Sequence, residues 1–309
     1  MVEKGQNINR SILNQLWIFY TVAIHESFSA AAKYLYLTQP NISTQVKQLE
    51  NYYGTRLFER YGKRIKLTEA GERLFSYAEK IFSLIREADS VIQDIKGMKS
   101  GSLRISASLT MGTYYLPYML SIFRKQYPNI EIQMTVGNSE SVIQNILSMK
   151  SDLGLVAHLV NNENLASYPF LEDELVMIVA PYHDFAQQDH VTLDKLNNQL
   201  FIMREKGSAT RDEIESRLHE YNIHVNVVME LASNEAIKHA VEVGLGISIL
   251  PADVVKKEVE LKLLKIVRFS KKRFSRNFYL IHHKDKYLSN AIISFIKLAA
   301  THSNQFKKE

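Results

Sequence analysis

Between Gln39 and Tyr53 the chain carries a helical repeat with two chemically different faces. Ile42, Val46, Leu49 and Tyr53 recur at intervals of four, three and four, which predicts one buried stripe. At 100° per residue the opposite face holds Pro40, Thr44, Lys47, Gln48 and Asn51. That face has no carboxylate and is rich in groups that donate and accept hydrogen bonds, which suits base edges and phosphates. A solvated helix face would also explain it, taken alone. Its neighbours argue otherwise. Thr38 is placed to cap the helix with Pro40 in its first turn, where a missing N–H costs nothing. Upstream, Ser29 can cap a shorter helix whose Ala30-Ala31-Ala32 run lets a crossing helix approach. The stretch 28–47 therefore reads as a helix-turn-helix whose second helix enters the major groove. Ser29, Thr38, Gln39, Pro40, Asn41, Ser43, Thr44 and Lys47 are its candidate DNA contacts.

A second set of polar groups lies far downstream. Ser108-Leu109-Thr110 and Gly207-Ser208-Ala209-Thr210 are small, hydroxyl-rich loops, each following a strand and leading into a helix. Free N–H groups at a helix start attract anions, and small side chains let a ligand reach them. Asn138-Ser139 and Asn234 begin further helices at equivalent strand ends, and His158 joins them as a candidate. Arg204, Lys206 and Arg211 flank the second loop, accompanied only by Glu205. One such hydroxyl is an ordinary helix cap. Two loops in matching positions with cations beside them predict a small anionic ligand held between two lobes.

Other chemistry lacks its residues. There is no cysteine, so thiolate metal sites, cysteine nucleophiles and disulfides are excluded, as fits a reducing compartment. There is no P-loop, no H-E-x-x-H and no G-x-S-x-G, and Gly244-Leu245-Gly246 precedes a strand instead of opening a nucleotide-binding helix. His282 and His283 point to opposite sides of a strand and cannot share a metal. The expectation is a protein with no cofactor, no metal and no catalysis. The basic run from Lys262 to Arg276, seven cations without an acid, reads as a solvated loop near a hinge.

The elements that hold these groups follow from the pattern. A chain of 309 residues with 46% hydrophobic content allows about two domains with real cores. The polar start MVEKGQNINR and the lack of an uncharged apolar run of spanning length predict a soluble, cytoplasmic protein without a membrane partner. Ile12–His25 predicts a first helix with Leu13, Leu16, Tyr20 and Ile24 on its core face. Leu57–Leu67 predicts a hairpin turning at Tyr61-Gly62-Lys63. Between Pro40 and Thr68 six basic residues face two acids, so the hairpin, with Arg64 in it, is a basic wing suited to phosphates. From Thr68 to about Gly97 a helix carries Ala70, Leu74, Tyr77, Ile81, Leu84, Ala88, Val91 and Ile95 in an unbroken heptad seam. Phe75, Ala78, Phe82 and Ile85 form an adjacent stripe, so one stripe can pack on the chain's own winged domain and the other on a second copy. Leu74, Tyr77, Ile81, Leu84, Ala88 and Val91 are the candidate dimer contacts. After Gly101 strands and helices alternate twice, which predicts two lobes with parallel sheets. Glu174–Ala180 and Phe278–His283 would cross between the lobes, and a final helix at Tyr287–Ala300 would return to the first.

The segments FSAAAKYLYLTQPNISTQVKQLE, LFER and LTEAGERL, in that order, resemble the LysR-type transcriptional regulators. VAPYHDFA, MREKGSATR and SNEAIKHAVEVGLGISILP extend the resemblance to the carboxyl-terminal region, and the last two look most like the regulators of carbon fixation and sulfur assimilation. Asn41 departs from the smaller residue that many members carry there. The resemblance implies an N-terminal all-α winged helix-turn-helix at 11–68 and a linker and dimerisation helix at 69–97. It implies an α/β two-lobed effector-binding domain at 98–309, similar to periplasmic solute-binding proteins. Lobe I would be 98–178 plus 274–309 and lobe II 179–273. It further implies a bacterial, sequence-specific regulator that binds double-stranded promoter DNA and a small effector. The subgroup points to a sulfur oxyanion or a phosphorylated or carboxylated metabolite. Tetramers and contact with RNA polymerase are implied by the family alone. Two other readings stand beside it: an architectural DNA binder with a degenerate sensor, and a cytoplasmic two-lobed solute-binding protein.

Overall fold

The computed structural model describes residues 11–61, 64–95, 101–188, 190–270 and 273–302. The expected boundary at Gly97–Ser100, the turn residues Gly62 and Lys63, and Lys271 and Lys272 lie outside the described residues. The chain divides into two compact units, Met1–Ala88 and Asp89–Glu309.

The first unit holds helices α1 (Ile12–His25), α2 (Phe28–Tyr34) and α3 (Gln39–Tyr53), the hairpin β1 (Phe58–Tyr61) and β2 (Arg64–Leu67), and most of helix α4 (Glu69–Ile95). Helix α1 is buried on two sides. Leu16, Phe19 and Tyr20 pack with Leu49, Leu57, Ala78 and Phe82, while Ile18 and Val22 pack with Ala31, Ala32, Ile42 and Val46. This corrects the expected single face, because Leu13 and Ile24 are exposed. Tyr53 is likewise exposed, as the last residue of α3 before its Gly54 cap. Gly71, near the start of α4, has a reason to be glycine: a Cβ there would meet the Leu57 carbonyl oxygen at 2.1 Å. The α4 stripe of Phe75, Ala78 and Phe82 packs on α1, with Phe75 stacked on Tyr20 at 5.2 Å between ring centroids.

The second unit is built on one long antiparallel pair, β6 (Leu165–Val179) and β12 (Phe274–His283). Strands β3 (Gly101–Ser108), β4 (Ile130–Gly137) and β5 (Leu153–Val156) form a parallel set beside β12, ordered β4-β3-β5-β12-β6. Helices α5 (Leu116–Gln126) and α6 (Ser139–Leu147) connect them, and a π-helical turn, Met111–Tyr115, precedes α5. On the other side of β6 come β7 (His190–Val191), β8 (Leu200–Arg204), α7 (Ala209–Glu220), β9 (Asn226–Leu231), α8 (Asn234–Glu242), β10 (Ser248–Pro251), α9 (Ala252–Glu260) and β11 (Lys265–Phe269). Helix α10 (Asn290–His302) ends the described fold and packs its Phe295 on Phe123 of α5.

Parallel pairing holds for β3 with β4 and β5 and for β8 with β9, whereas β10, β11 and β12 all run antiparallel to β6. One apolar cluster takes Leu171 and Phe278, and another takes Leu175, Met177, Val179 and Phe274. The crossing between lobes therefore falls between Leu171 and Leu175 on β6 and between Phe274 and Phe278 on β12. The expected lobe boundary after residue 178 is several residues late, because Leu175–Ala180 is an apolar run buried by lobe II. The strands themselves are longer than expected, and α10 starts at Asn290 instead of Tyr287. The basic run is not a solvated loop. It forms β11 and the start of β12, with Arg276 buried.

Candidate functional site

In the first unit, Ile42, Val46 and Leu49 turn inward and leave Thr38, Gln39, Pro40, Asn41, Ser43, Thr44 and Lys47 exposed along α3. The cap of α2 is Ser27, whose hydroxyl accepts from Ala30 N–H at 3.2 Å, and not Ser29. Ser29 is thereby freed to donate to Gln39 Oε1 across the turn at 3.1 Å. Thr38 occupies the cap position of α3 without a side-chain bond, and Pro40 sits in the first turn. Thr44 donates to the Pro40 carbonyl at 2.9 Å, so its lone pairs and methyl remain outward. Gln48 is drawn back by Gln15, which donates to its Oε1 at 3.0 Å. Glu50 accepts from Leu57 N–H at 2.8 Å and ties α3 to the hairpin. Between them runs a groove of about 1120 Å³ whose lining includes Gln39, Ser43, Lys47, Asn51 and Arg56. Arg64 lies at the start of β2, and its side chain lies outside what is described.

In the second unit the two hydroxyl-rich loops meet. Ser108, Leu109, Thr110, Asn138 and Ser139 from lobe I face Arg204, Ser208 and Thr210 from lobe II, with Ala157 and Ala209 completing the lining. Each set stands at the carboxyl ends of parallel strands, where open α/β sheets bind ligands. The free space is about 10 Å³, at the limit of what one water needs, so the cleft is closed. Among the described residues, hydrogen bonds between the lobes accompany closure. The π-helical turn supplies two: Tyr114 donates to Glu235 at 2.5 Å and Tyr115 to Asp253 at 2.7 Å. Asn234 Nδ2 approaches Thr110 Oγ1 at 3.4 Å. Burial first raises both tyrosine pKa values, followed by Glu235 at Tyr114 and by Asp173 and Asp253 at Tyr115.

Three candidates do not line the cleft. Asn234 supports Thr110 from behind, and Gly207, in the left-handed region at φ +82°, faces Asn138 and Glu140 across the gap. His158 has an Nδ1 without a hydrogen-bond partner, and burial lowers its pKa against the opposing pull of Asp212. The flanking cations also differ from expectation. Arg204 is buried and closed by both oxygens of Glu205 and by Asn234. Arg211 pairs with Glu215 and Glu230. Neither offers a bare charge to the cleft, because Arg204 at the end of β8 and Arg211 in the first turn of α7 each have carboxylates within reach.

Arg276 is the residue that sequence reasoning missed. Its Nε and Nη2 bond Asp173 Oδ2 at 3.1 and 3.0 Å, and its Nη1 donates to Thr210 Oγ1 at 2.8 Å. Strand alternation through Phe274, Arg276 and Phe278, all buried, is the signal that separates it from the exposed cations before it. Among the described residues, no cluster of His, Asp or Glu could hold a metal ion, and no helix is long and apolar enough to cross a membrane.

A winged helix-turn-helix joined to a two-lobed α/β domain with a polar cleft defines a ligand-responsive DNA-binding protein. The chain belongs to the LysR family of transcriptional regulators. Residues 13–72 match the bacterial regulatory helix-turn-helix protein, lysR family, and residues 96–304 match the LysR substrate binding domain. It is similar to the HTH-type transcriptional activator CmpR of Synechocystis sp., 36% identical over 96% of this chain and 97% of that protein. The RuBisCO operon transcriptional regulator of Allochromatium vinosum is 36% identical over 92% of this chain and 93% of that protein, which agrees with the carbon-fixation subgroup. Among solved structures, the regulatory domain of Synechocystis PCC6803 CcmR in complex with 2-PG matches with a TM-score of 0.62 and 32% identity. That match covers 66% of this chain and 98% of the CcmR chain. These relatives are regulators of transcription, not enzymes.

Proposed function

We propose that this regulator reads an operator with the exposed face of α3 and is switched by a small anion bound between its two lobes. The carrying observation is the meeting of Ser108, Thr110, Ser208 and Thr210 around one cleft lined by no carboxylate among the described residues. The likeness to CcmR, a domain solved with 2-PG, supports an acidic effector. The ligand must prefer one lobe arrangement to act, since equal affinity for both would shift nothing. Closing on an anion would then change the angle or spacing of two DNA-reading heads in a dimer held by α4. Tyr77, Ile81 and Leu84 support that dimer, being exposed while Ala78 and Phe82 pack inward. The test is calorimetric titration of the full chain with 2-PG, sulfate and small carboxylates, set against neutral sugars and amines. Heat from the anions alone supports the reading. Binding of only neutral or cationic compounds overturns it.

A further inference from the structure

Along one edge of β6 the ladder of strand pairing is interrupted. Val267 of β11 pairs with Met177 and Phe274 of β12 pairs with Leu175, so Val176 is skipped on that edge. Arg268 and Phe269 leave β6 and pair instead with His190 and Val191 of β7. Beside this gap lies a cavity of about 150 Å³. Val176, Phe269 and Phe274 give it apolar walls, and Glu174, His190, Arg268 and Arg273 are its polar groups. It shares no lining residue with the cleft between the lobes. It does adjoin the hinge, since Glu174 follows Asp173 in β6 and Phe274 opens the crossing of β12.

The charges in this pocket do not cancel. Arg273 donates to Glu174 at 3.3 Å, which neutralises both. Arg268 is exposed, and its guanidinium has no ion pair or hydrogen bond among the described residues. His190 stands opposite it in the parallel register and brings a ring N–H, also without a side-chain partner among the described residues. The run from Lys262 to Arg276 contains no acid, so the potential at the mouth is positive. One uncompensated cation therefore stands against an apolar wall. A dry apolar cavity of roughly 150 Å³ holds a benzene-sized body.

We propose that this pocket is a second ligand site, for a small monocarboxylate with a compact branched or cyclic hydrocarbon body. The body lies against Val176, Phe269 and Phe274, while the carboxylate pairs with Arg268 and accepts from His190. An inorganic anion has no hydrocarbon to bury and forgoes that gain. An amine meets Arg268 as a like charge, and an alcohol leaves the guanidinium without its counter-ion. Glu174 holds Arg273 and limits the pocket to one net positive charge, which suits a monoanion. The proposal is independent of the anion reading of the cleft.

The experiment is calorimetric titration of the full chain with sodium 3-methylbutanoate. The controls are 3-methylbutanol, 3-methylbutylamine and acetate, which separate charge from body. The carboxylate should bind roughly tenfold more tightly than any control, the scale of one hydrogen bond to a charged group. Arg268→Gln should weaken 3-methylbutanoate about tenfold, and Arg268→Lys should restore most of that loss. Glu174→Gln frees Arg273 and should strengthen binding about threefold. Thr110→Val, in the cleft wall, should leave it unchanged. Melting temperatures equal to wild type in both Arg268 variants show that the loss is not misfolding. No heat from 3-methylbutanoate, or equal binding of 3-methylbutanol, would overturn the proposal. So would a loss in Thr110→Val with none in Arg268→Gln, which puts the carboxylate in the cleft instead.

Discussion

Arg276 and Asp173 face each other across the two strands that join the lobes, with guanidinium nitrogens 3.0 and 3.1 Å from one carboxylate oxygen. Both are buried. The same guanidinium reaches Thr210 in lobe II, and Tyr115 in lobe I lies 3.5 Å from Asp173 while donating to Asp253. The hinge of the sensor is thus an ionic network continuous with the cleft wall. A change in cleft occupancy at Thr210 has a direct route to the crossing strands.

That network predicts a pH signature. Burial raises the Asp173 carboxyl to about 6, against the opposing pull of Arg276 and with a further push from Asp253. The native state then holds this proton where the unfolded chain, with a carboxyl near 4, has released it. Asp173 accordingly stabilises the sensor most below about pH 4, and that contribution is lost as pH rises through 6. The loss is on the order of 2–3 kcal/mol. Denaturant titrations from pH 4 to 7 should show the wild-type minus Asp173→Asn difference falling across this window. A difference that is flat with pH would refute the assignment.

The second prediction concerns α4. Leu84 is 58% exposed and Ile81 36%, on a helix whose other stripe is already used by α1. Charged replacements at both sites would bury unpaired charge in a helix–helix seam. Ile81→Glu with Leu84→Glu should yield monomers in sedimentation and cost operator affinity, while anion titration of the full chain is unchanged. A double variant that sediments as a dimer through α4 would end this reading.

The DNA face gives a third. Lys47→Ala should weaken binding to every sequence and reduce the log–log salt slope by about one unit, as loss of one phosphate contact requires. Thr44→Ala should weaken operator binding selectively, since the Thr44 methyl and lone pairs face outward while its hydrogen is held by Pro40. Both variants should melt with the wild type, because neither side chain is buried. Gel-shift titration on operator and random DNA distinguishes the two effects.

Much of this was readable before any coordinates. The stripe Ile42, Val46, Leu49 has a clean helical period and packs as it reads, and helix α1 has the bounds expected of Ile12–His25. What failed was partner choice. Periodicity places Leu13 and Ile24 on an apolar face but cannot say that α1 would be gripped from two other sides. Arg204 and Arg211 read as free cations because their carboxylate partners on Glu205, Glu215 and Glu230 are set by side-chain geometry. Arg276 was hidden inside a basic run whose other described members are exposed, since only strand pairing with β6 turns it inward.

The last prediction rests on a backbone cost. Tyr36 stands between α2 and α3 at φ +55°, in the left-handed region. Its N–H bonds the Lys33 carbonyl at 3.3 Å and the next N–H, of Leu37, bonds Ala32 at 2.9 Å. This is the hydrogen-bond pattern that closes a helix with a left-handed residue, a position where glycine is usual. A side chain there costs on the order of 1–2 kcal/mol. Nothing in packing repays it, because the ring is 95% exposed. An aromatic hydroxyl held at this expense in the turn of the DNA-reading motif is suited to a backbone phosphate. Tyr36→Gly should therefore leave stability equal or raise it by up to about 1 kcal/mol, since glycine's extra unfolded-state freedom offsets part of the relief. The same change should weaken binding to operator and random DNA alike, by about three- to tenfold at low salt. Tyr36→Phe, which keeps the ring and drops the hydroxyl, should show the DNA loss without the gain in stability. Unchanged DNA affinity in both variants would show that the strain at Tyr36 serves something other than DNA contact.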